Sequence, residues 1–257
     1  MNWKLTLSYD GTAFHGWQIQ PSLPTIQGIL AAAIRHLTGE IVLPQGSGRT
    51  DAGVHALAQV CSVALKAAIP AENLERALNH ALPPSIRVLS CEQAADDFHA
   101  RYSAVGKTYE YRIFTRGHHP ERICSPFVAP YVWDCHWPLD VAAMKIAARH
   151  FLGIHDFTSF AASDPDLTTR QEGTTINPQK HLSTSTFIHE DDLLIYRVSG
   201  SGFLHHMVRN IVGTLVEVGR GALAPDAIPA ILLARNRTAA GPTAPASGLF
   251  LHSVDYQ

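Results

Sequence analysis

Leu5, Leu7 and Tyr9 alternate with Lys4, Thr6 and Ser8, a period of two that predicts a half-buried strand at the start of the chain. A glycine-bearing loop follows, Asp10-Gly11-Thr12-Ala13-Phe14-His15-Gly16-Trp17-Gln18. Ile26, Ile29, Leu30, Ala33, Ile34 and Leu37 then recur at helical spacing, with Thr25 as the cap and Gly39 as the stop. Residues 41–47 read as a short strand ending on the turn Gly46-Ser47-Gly48, and residues 55–65 as another strand. Pro70 opens a second helix with Leu74, Ala77, Leu78 and Ala81 on one face. Pro83-Pro84 ends it, and residues 85–94 read as extended. The order is β-α-β-β-α-β, that of a split ferredoxin-like unit.

The rest of the chain has similar ingredients. Lys107 to Thr115 alternates as a strand, with Tyr109, Tyr111 and Ile113 on one face. Residues 127–133 read as extended, and Pro138 opens a helix running to about residue 151. Residues 181–189 and 192–199 form a hairpin pattern around Glu190-Asp191-Asp192. Residues 203–218 and 225–235 read as helices, and 248–255 as a closing strand. The fold class expected is α+β. Two ferredoxin-like halves, residues 1–103 and 104–257, carry mixed or antiparallel sheets flanked by helices. That order is shared with RNA-recognition modules, but a fold does not specify a function. The polar stretch from Ala162 to Lys180 is too long for a neutral connector in a compact domain.

Composition adds boundaries more than direction. The 257 residues are 46% hydrophobic and 16% charged, an ordinary globular balance with ample material for a core. No apolar run is long enough to span a bilayer, and Met1-Asn2-Trp3-Lys4 carries no signal-peptide character. A cytoplasmic location is expected. Cys61, Cys91, Cys124 and Cys135 form no C-x-x-C pair and read as free thiols. The net charge of −2 gives no support to a nucleic-acid partner. Fifteen of the twenty basic residues are Arg; this bias suits phosphate recognition, and equally reflects a GC-rich genome. The adjacent pairs His118-His119 and His205-His206 point their members differently, and no H-E-x-x-H is present. No metal site is expected.

Three constellations carry candidate chemistry. In Arg49-Thr50-Asp51-Ala52-Gly53, a carboxylate follows a glycine-rich turn at a strand end. Such an Asp can attack an anomeric carbon, or it can simply cap its own turn. In Met207-Val208-Arg209-Asn210-Ile211-Val212-Gly213, Arg209 sits on a helix that is apolar over most of its surface. It either snorkels to the surface or pairs with a carboxylate and holds it ionised. In Lys107-Thr108-Tyr109-Glu110-Tyr111, the two tyrosines share a strand face. They either pack in the core or offer a ring to an extruded base.

The motifs also occur together and in order. They are Tyr9-Asp10-Gly11-Thr12-x-Phe14-x-Gly16-Trp17-Gln18, Gly48-Arg49-Thr50-Asp51-Ala52-Gly53-Val54-His55-Ala56, and Phe98-His99-Ala100-Arg101-Tyr102-Ser103-Ala104 with Lys107-x-Tyr109-x-Tyr111. Gly153-Ile154-His155-Asp156-Phe157, the Met207–Gly213 run and Thr243-Ala244-Pro245-Ala246-Ser247-Gly248-Leu249 follow. In these residues the chain resembles the tRNA pseudouridine synthase A family. The resemblance implies two α/β halves with a catalytic cleft between them, a homodimer, and isomerisation of uridine to pseudouridine in the anticodon stem-loop of tRNA, at positions 38, 39 or 40. It implies no cofactor. Carried over by motif, Asp51 is the catalytic carboxylate, Tyr109 stands beside the target base and Arg209 partners Asp51. Arg49, Arg101 and Gln18 are substrate or site-support residues. Between Phe160 and His181 the chain departs from the family pattern: the segment is longer and reads Gly173-Thr174-Thr175-Ile176-Asn177-Pro178 where the family has an Arg-x-Ile-like element. The competing readings are a tRNA-binding or folding module without catalysis, and a glycosidase, which would need a second carboxylate such as Asp156 or Glu110 at a fixed separation.

Overall fold

The computed structural model describes residues 1–116, 119, 121–163 and 177–257. Among them are five α-helices and ten strands, an α+β protein. His118 and most of the long polar stretch, including Gly173 to Ile176, lie outside the described residues. Two compact units are present. The first is Met1–Thr108 with Leu249–Gln257, and the second is Tyr109–Gly248.

The first unit begins with β1 (Asn2–Tyr9), whose strict alternation of burial follows its sequence pattern. Next come α1 (Ile26–Thr38), β2 (Gln45–Gly46), β3 (His55–Ala64), α2 (Ala71–Ala81) and β4 (Ile86–Ala94). β5 (Ala104–Thr115) starts in this unit and runs on into the second. β10 (Leu249–Tyr256) closes the chain. The strand order is β4-β1-β3-β10, with β2 also on β3. β1 is antiparallel to both β3 and β4. The outer edge of β3 is shared between two partners. β2 pairs antiparallel at Cys61 and Ser62, and β10 pairs parallel at His55 and Ala56.

Helix α1 shows why the local sequence suffices for some elements. Thr25 is extended and its side chain accepts the Gly28 N–H at 3.3 Å. Gly39, at φ 74°, takes the left-handed turn that ends the helix. Leu30, Ile34 and Ile26 are fully buried. Thr25→Ala is expected to cost about 1 kcal/mol and to lower the thermal midpoint by about 2–4 °C, measurable by circular dichroism.

The second unit holds the rest of β5, β6 (Trp133–Cys135), α3 (Val141–Arg149), β7 (Gly153–Asp156), β8 (Gln179–Glu190), β9 (Leu193–Gly200), α4 (Met207–Gly219) and α5 (Ile228–Ala234). The strand order is β5-β9-β8-β7, with β6 parallel to β5. β8 and β9 form the expected hairpin, turning through Asp191 at φ 51°. Among the described residues, no helix is long and apolar enough to cross a membrane.

Several expectations are corrected. Of residues 41–47 only Gln45–Gly46 pair as strand, because the Pro44 carbonyl is taken by the Gln27 side chain at 2.9 Å and Pro44 has no N–H to give. Residues 127–133 are mostly turn: the Ala129 N–H folds back onto the Ser125 carbonyl, and Ala129–Tyr131 is a single 3₁₀ turn. Asp140, not Pro138, starts α3, by accepting the Ala143 N–H at 3.0 Å. The helix expected from residue 203 begins at Met207, because His206 is left-handed at φ 59°. That same backbone turn brings the His205 and His206 rings to 3.9 Å, so the two do not point apart. Residues 225–227 are a 3₁₀ turn before α5, and β7 was not expected.

Candidate active site

The Asp51 loop is held by contacts that its own motif shares with the motif after β1. Trp17 N–H donates to the Thr50 carbonyl at 3.0 Å, and Gly53 N–H donates to Phe14 O at 3.2 Å. Val54 N–H closes a turn onto Asp51 O at 3.1 Å, with Gly53 at φ 76° in the position that needs it. Gly16 and Gly11 allow the backbones to touch. A Cβ on Gly16, at φ 83°, would stand 2.4 Å from Thr50 O and 3.0 Å from the Asp51 carbonyl carbon. A Cβ on Gly11 would stand 2.0 Å from Val54 O. The two motifs are therefore one structure, two loops interlocked backbone to backbone.

Buried polar side chains brace this pair from below. The Tyr9 hydroxyl and Thr50 Oγ1 are 2.8 Å apart, and burial pushes the Tyr9 phenol up to about 12, so it stays protonated. Gln59, fully buried, donates to the Gly48 carbonyl at 3.0 Å and accepts from Ser47 Oγ at 2.7 Å. His55 Nδ1 accepts the Gly11 N–H at 3.0 Å, and its ring stacks on Phe250 with centroids 4.7 Å apart. On this frame Thr50 is buried, Asp51 half-buried and Arg49 exposed. Gln18 follows Trp17 on the adjoining loop and is half-buried. Arg101 is exposed on the turn before β5.

Tyr109 and Arg209 belong to the second unit. Tyr109 is buried on β5, with its ring edge-on to Phe203 at 4.9 Å. Tyr111, on the same face, is fully buried and donates its hydroxyl to Pro245 O at 2.7 Å. Burial drives the Tyr111 phenol far up, and the Arg209 charge offsets part of that rise. Arg209 is half-buried on the first turn of α4. Its Nε donates to Ala244 O at 2.8 Å, and Ala244 N–H returns to Arg209 O at 3.1 Å. The guanidinium is thus tied to the Thr243–Gly248 segment as well as to its helix.

Further buried polar residues complete both frames. Asn210, fully buried, donates to Phe160 O at 2.7 Å and accepts from Thr243 Oγ1 at 2.7 Å and Arg237 Nη2 at 3.1 Å. It fixes the segment to which Arg209 is tied. Glu110 is buried and receives Arg197 Nε at 3.0 Å, with Arg112 Nη2 at 3.5 Å from its other oxygen. A polar residue inside an apolar helix or strand, as with Asn210, Gln59 and Glu110, is the signal available in the sequence. All four cysteines are buried free thiols, and burial pushes each of them up.

A family model described as tRNA pseudouridine synthase matches residues 6–103 and 147–257. tRNA pseudouridine synthase A of Solibacter usitatus is 51% identical over 254 residues, covering 98% of each chain. The protein of the same description from Moorella thermoacetica is 46% identical over 255 residues, again 98% of each chain. That from Bacillus pumilus is 43% identical over 260 residues, covering 100% of this chain and 99% of its own. Matches of this extent, on both motif-bearing units, leave one assignment: the chain belongs to the tRNA pseudouridine synthase A family.

Proposed function

We propose that the protein isomerises uridine to pseudouridine in the anticodon stem-loop of tRNA, at one or more of positions 38, 39 and 40, as a cytoplasmic homodimer without a cofactor. The observation that carries this reading is the half-buried Asp51 on two interlocked loops, in a chain matched over its length by tRNA pseudouridine synthases A. The β4-β1-β3 order with β2 on the far edge of β3 supports a ferredoxin-like first half. The β5-β9-β8-β7 order of the second unit, with α3 and α4, supports a second such half.

The target nucleotide leaves its stack to reach a recessed carboxylate. Asp51 assists cleavage of the bond between C1′ and N1, by attacking the sugar or by deprotonating it. The freed uracil turns, C5 bonds to C1′, N1 gains a proton and C5 loses one. Tyr109 lies against the base and serves the C5 proton transfer. Arg209 pairs with Asp51 and orients its carboxylate. Gln18, Arg49 and Arg101 bind and position the RNA.

Loss of the C5 proton gives the test. Full-length protein incubated with tRNA carrying tritium at uridine C5 should release one tritium per pseudouridine formed, and mass-spectrometric mapping should place the product at 38, 39 or 40. Stoichiometric tRNA binding with no tritium release would instead establish the binding-module reading.

A further inference from the structure

Lys107 belongs to the first unit, and its Nζ donates to the Ser47 carbonyl at 2.6 Å. The ammonium abuts the start of the Asp51 loop so closely that a Cβ on Gly48 would stand 2.7 Å from it. Burial, reinforced by the nearby Arg101 cation, pulls Lys107 down to about 8. Among the described residues no carboxylate forms an ion pair with Lys107 or with Arg101. The nearest acid on the neighbouring strand, Asp255, lies against Gly106 instead. A largely desolvated ammonium with a single neutral acceptor, and a second cation beside it, is an arrangement that costs stability. A bound anion would remove that cost.

The surroundings indicate which anion. Arg101 is exposed, and its guanidinium lies 5.9 Å from the centre of the Tyr102 ring. That ring is 78% exposed and is backed by His99 at 4.4 Å. A half-buried ammonium with a second cation near it, the latter beside an outward-facing, braced aromatic ring, matches a nucleic-acid backbone with an unpaired base beside it. We infer that Lys107 and Arg101 form a site for one backbone phosphate of the RNA substrate, next to the loop that carries Asp51, with Tyr102 open to a neighbouring unstacked base. This rests on the tRNA reading above. Lys107 acts as a point charge pinned in place by Ser47, and Arg101 supplies a planar fork from the solvent side.

The experiment is the affinity of the full-length protein for unmodified tRNA between 50 and 400 mM salt. Wild type, Lys107→Met, Arg101→Met and Lys107→Arg are compared, with the exposed Lys145→Met on α3 as a control for charge alone. A lost phosphate contact reduces the slope of log affinity against log salt by about one. Lys107→Met and Arg101→Met are each expected to show that loss and to weaken binding about tenfold at 0.1 M salt. Lys107→Arg should keep the slope even where tightness at Gly48 lowers affinity, and Lys145→Met should match wild type. A wild-type slope in both Met variants overturns the phosphate site, as does an equal change in Lys145→Met. If Lys107→Met fails to melt cooperatively, the exposed Arg101→Met decides. Wild type that binds and releases tritium while the Met variants keep their slope removes only this inference. Wild type that does not bind tRNA removes both.

Discussion

Replacing Asp51 with alanine is expected to lower tritium release from C5-labelled tRNA by about ten-thousand-fold or more, the usual scale for loss of a group that reacts with substrate. Binding of tRNA should stay within about tenfold of wild type, because binding energy comes mainly from phosphate contacts made by other residues. The structure explains why the effect should be chemical. The loop is fixed by main-chain bonds at Thr50, Gly53 and Val54, and by the Tyr9–Thr50 contact. None of these uses the Asp51 side chain as a strut. The variant should still melt in one cooperative transition, so that the lost release reports on chemistry and not on unfolding. Asp51→Asn sharpens the result, since it keeps the shape and removes the charge. Equal release from wild type and Asp51→Ala would take Asp51 out of the reaction.

Gly16→Ala should be strongly damaging although it touches no reacting group. The added methyl would need the space of the Thr50 carbonyl, at 2.4 Å, and both sides of that contact are backbone. Neither can swing aside as a flexible side chain would. The loops must separate, which displaces Asp51 by a fraction of an ångström to an ångström. Misplacement on that scale costs about 100-fold in rate, while overpacking costs about 1–3 kcal/mol of stability. Gly39→Ala is the matched control. It has nearly the same backbone angle, φ 74° against 83°, but nothing lies within 4 Å of the added atom. It carries the strain of a left-handed residue without the clash, so it should lose stability and keep kcat. If the two variants lose kcat equally, the interlock does not position Asp51.

What could be read from the chain alone divides along the range of the forces involved. The Thr25 cap, the Gly39 stop and the alternation of β1 were visible because each is decided within a few residues. The start of α4 was misread because Phe203 to His206 fit the apolar helical pattern, while one left-handed residue, His206, breaks the helix. The glycines at 11 and 16 were legible as a loop, but not what they face, since Val54 and Thr50 lie some forty residues away. In the sequence Lys107 is only one letter of a motif; its burial depends on the Ser47–Gly48 turn sixty residues earlier. Asp51, Tyr109 and Arg209 are proposed from their motifs and not from periodicity, which cannot distinguish a reacting carboxylate from a turn cap.

The parallel pairing of β10 with β3 also sets a clock on the ribosome. About 140 residues of the second unit separate Thr108 from Leu249, and synthesis at 5–20 residues per second takes about 7–28 s to cross them. Through that interval the nascent first unit has no Phe250 to stack on His55 and no partner for the His55–Ala56 edge of β3. An exposed strand edge invites pairing with other chains. The loop that carries Asp51 is thus among the last parts to settle. A chain that stalls before its final ten residues should emerge aggregation-prone and inactive, although every residue assigned to catalysis has already been made.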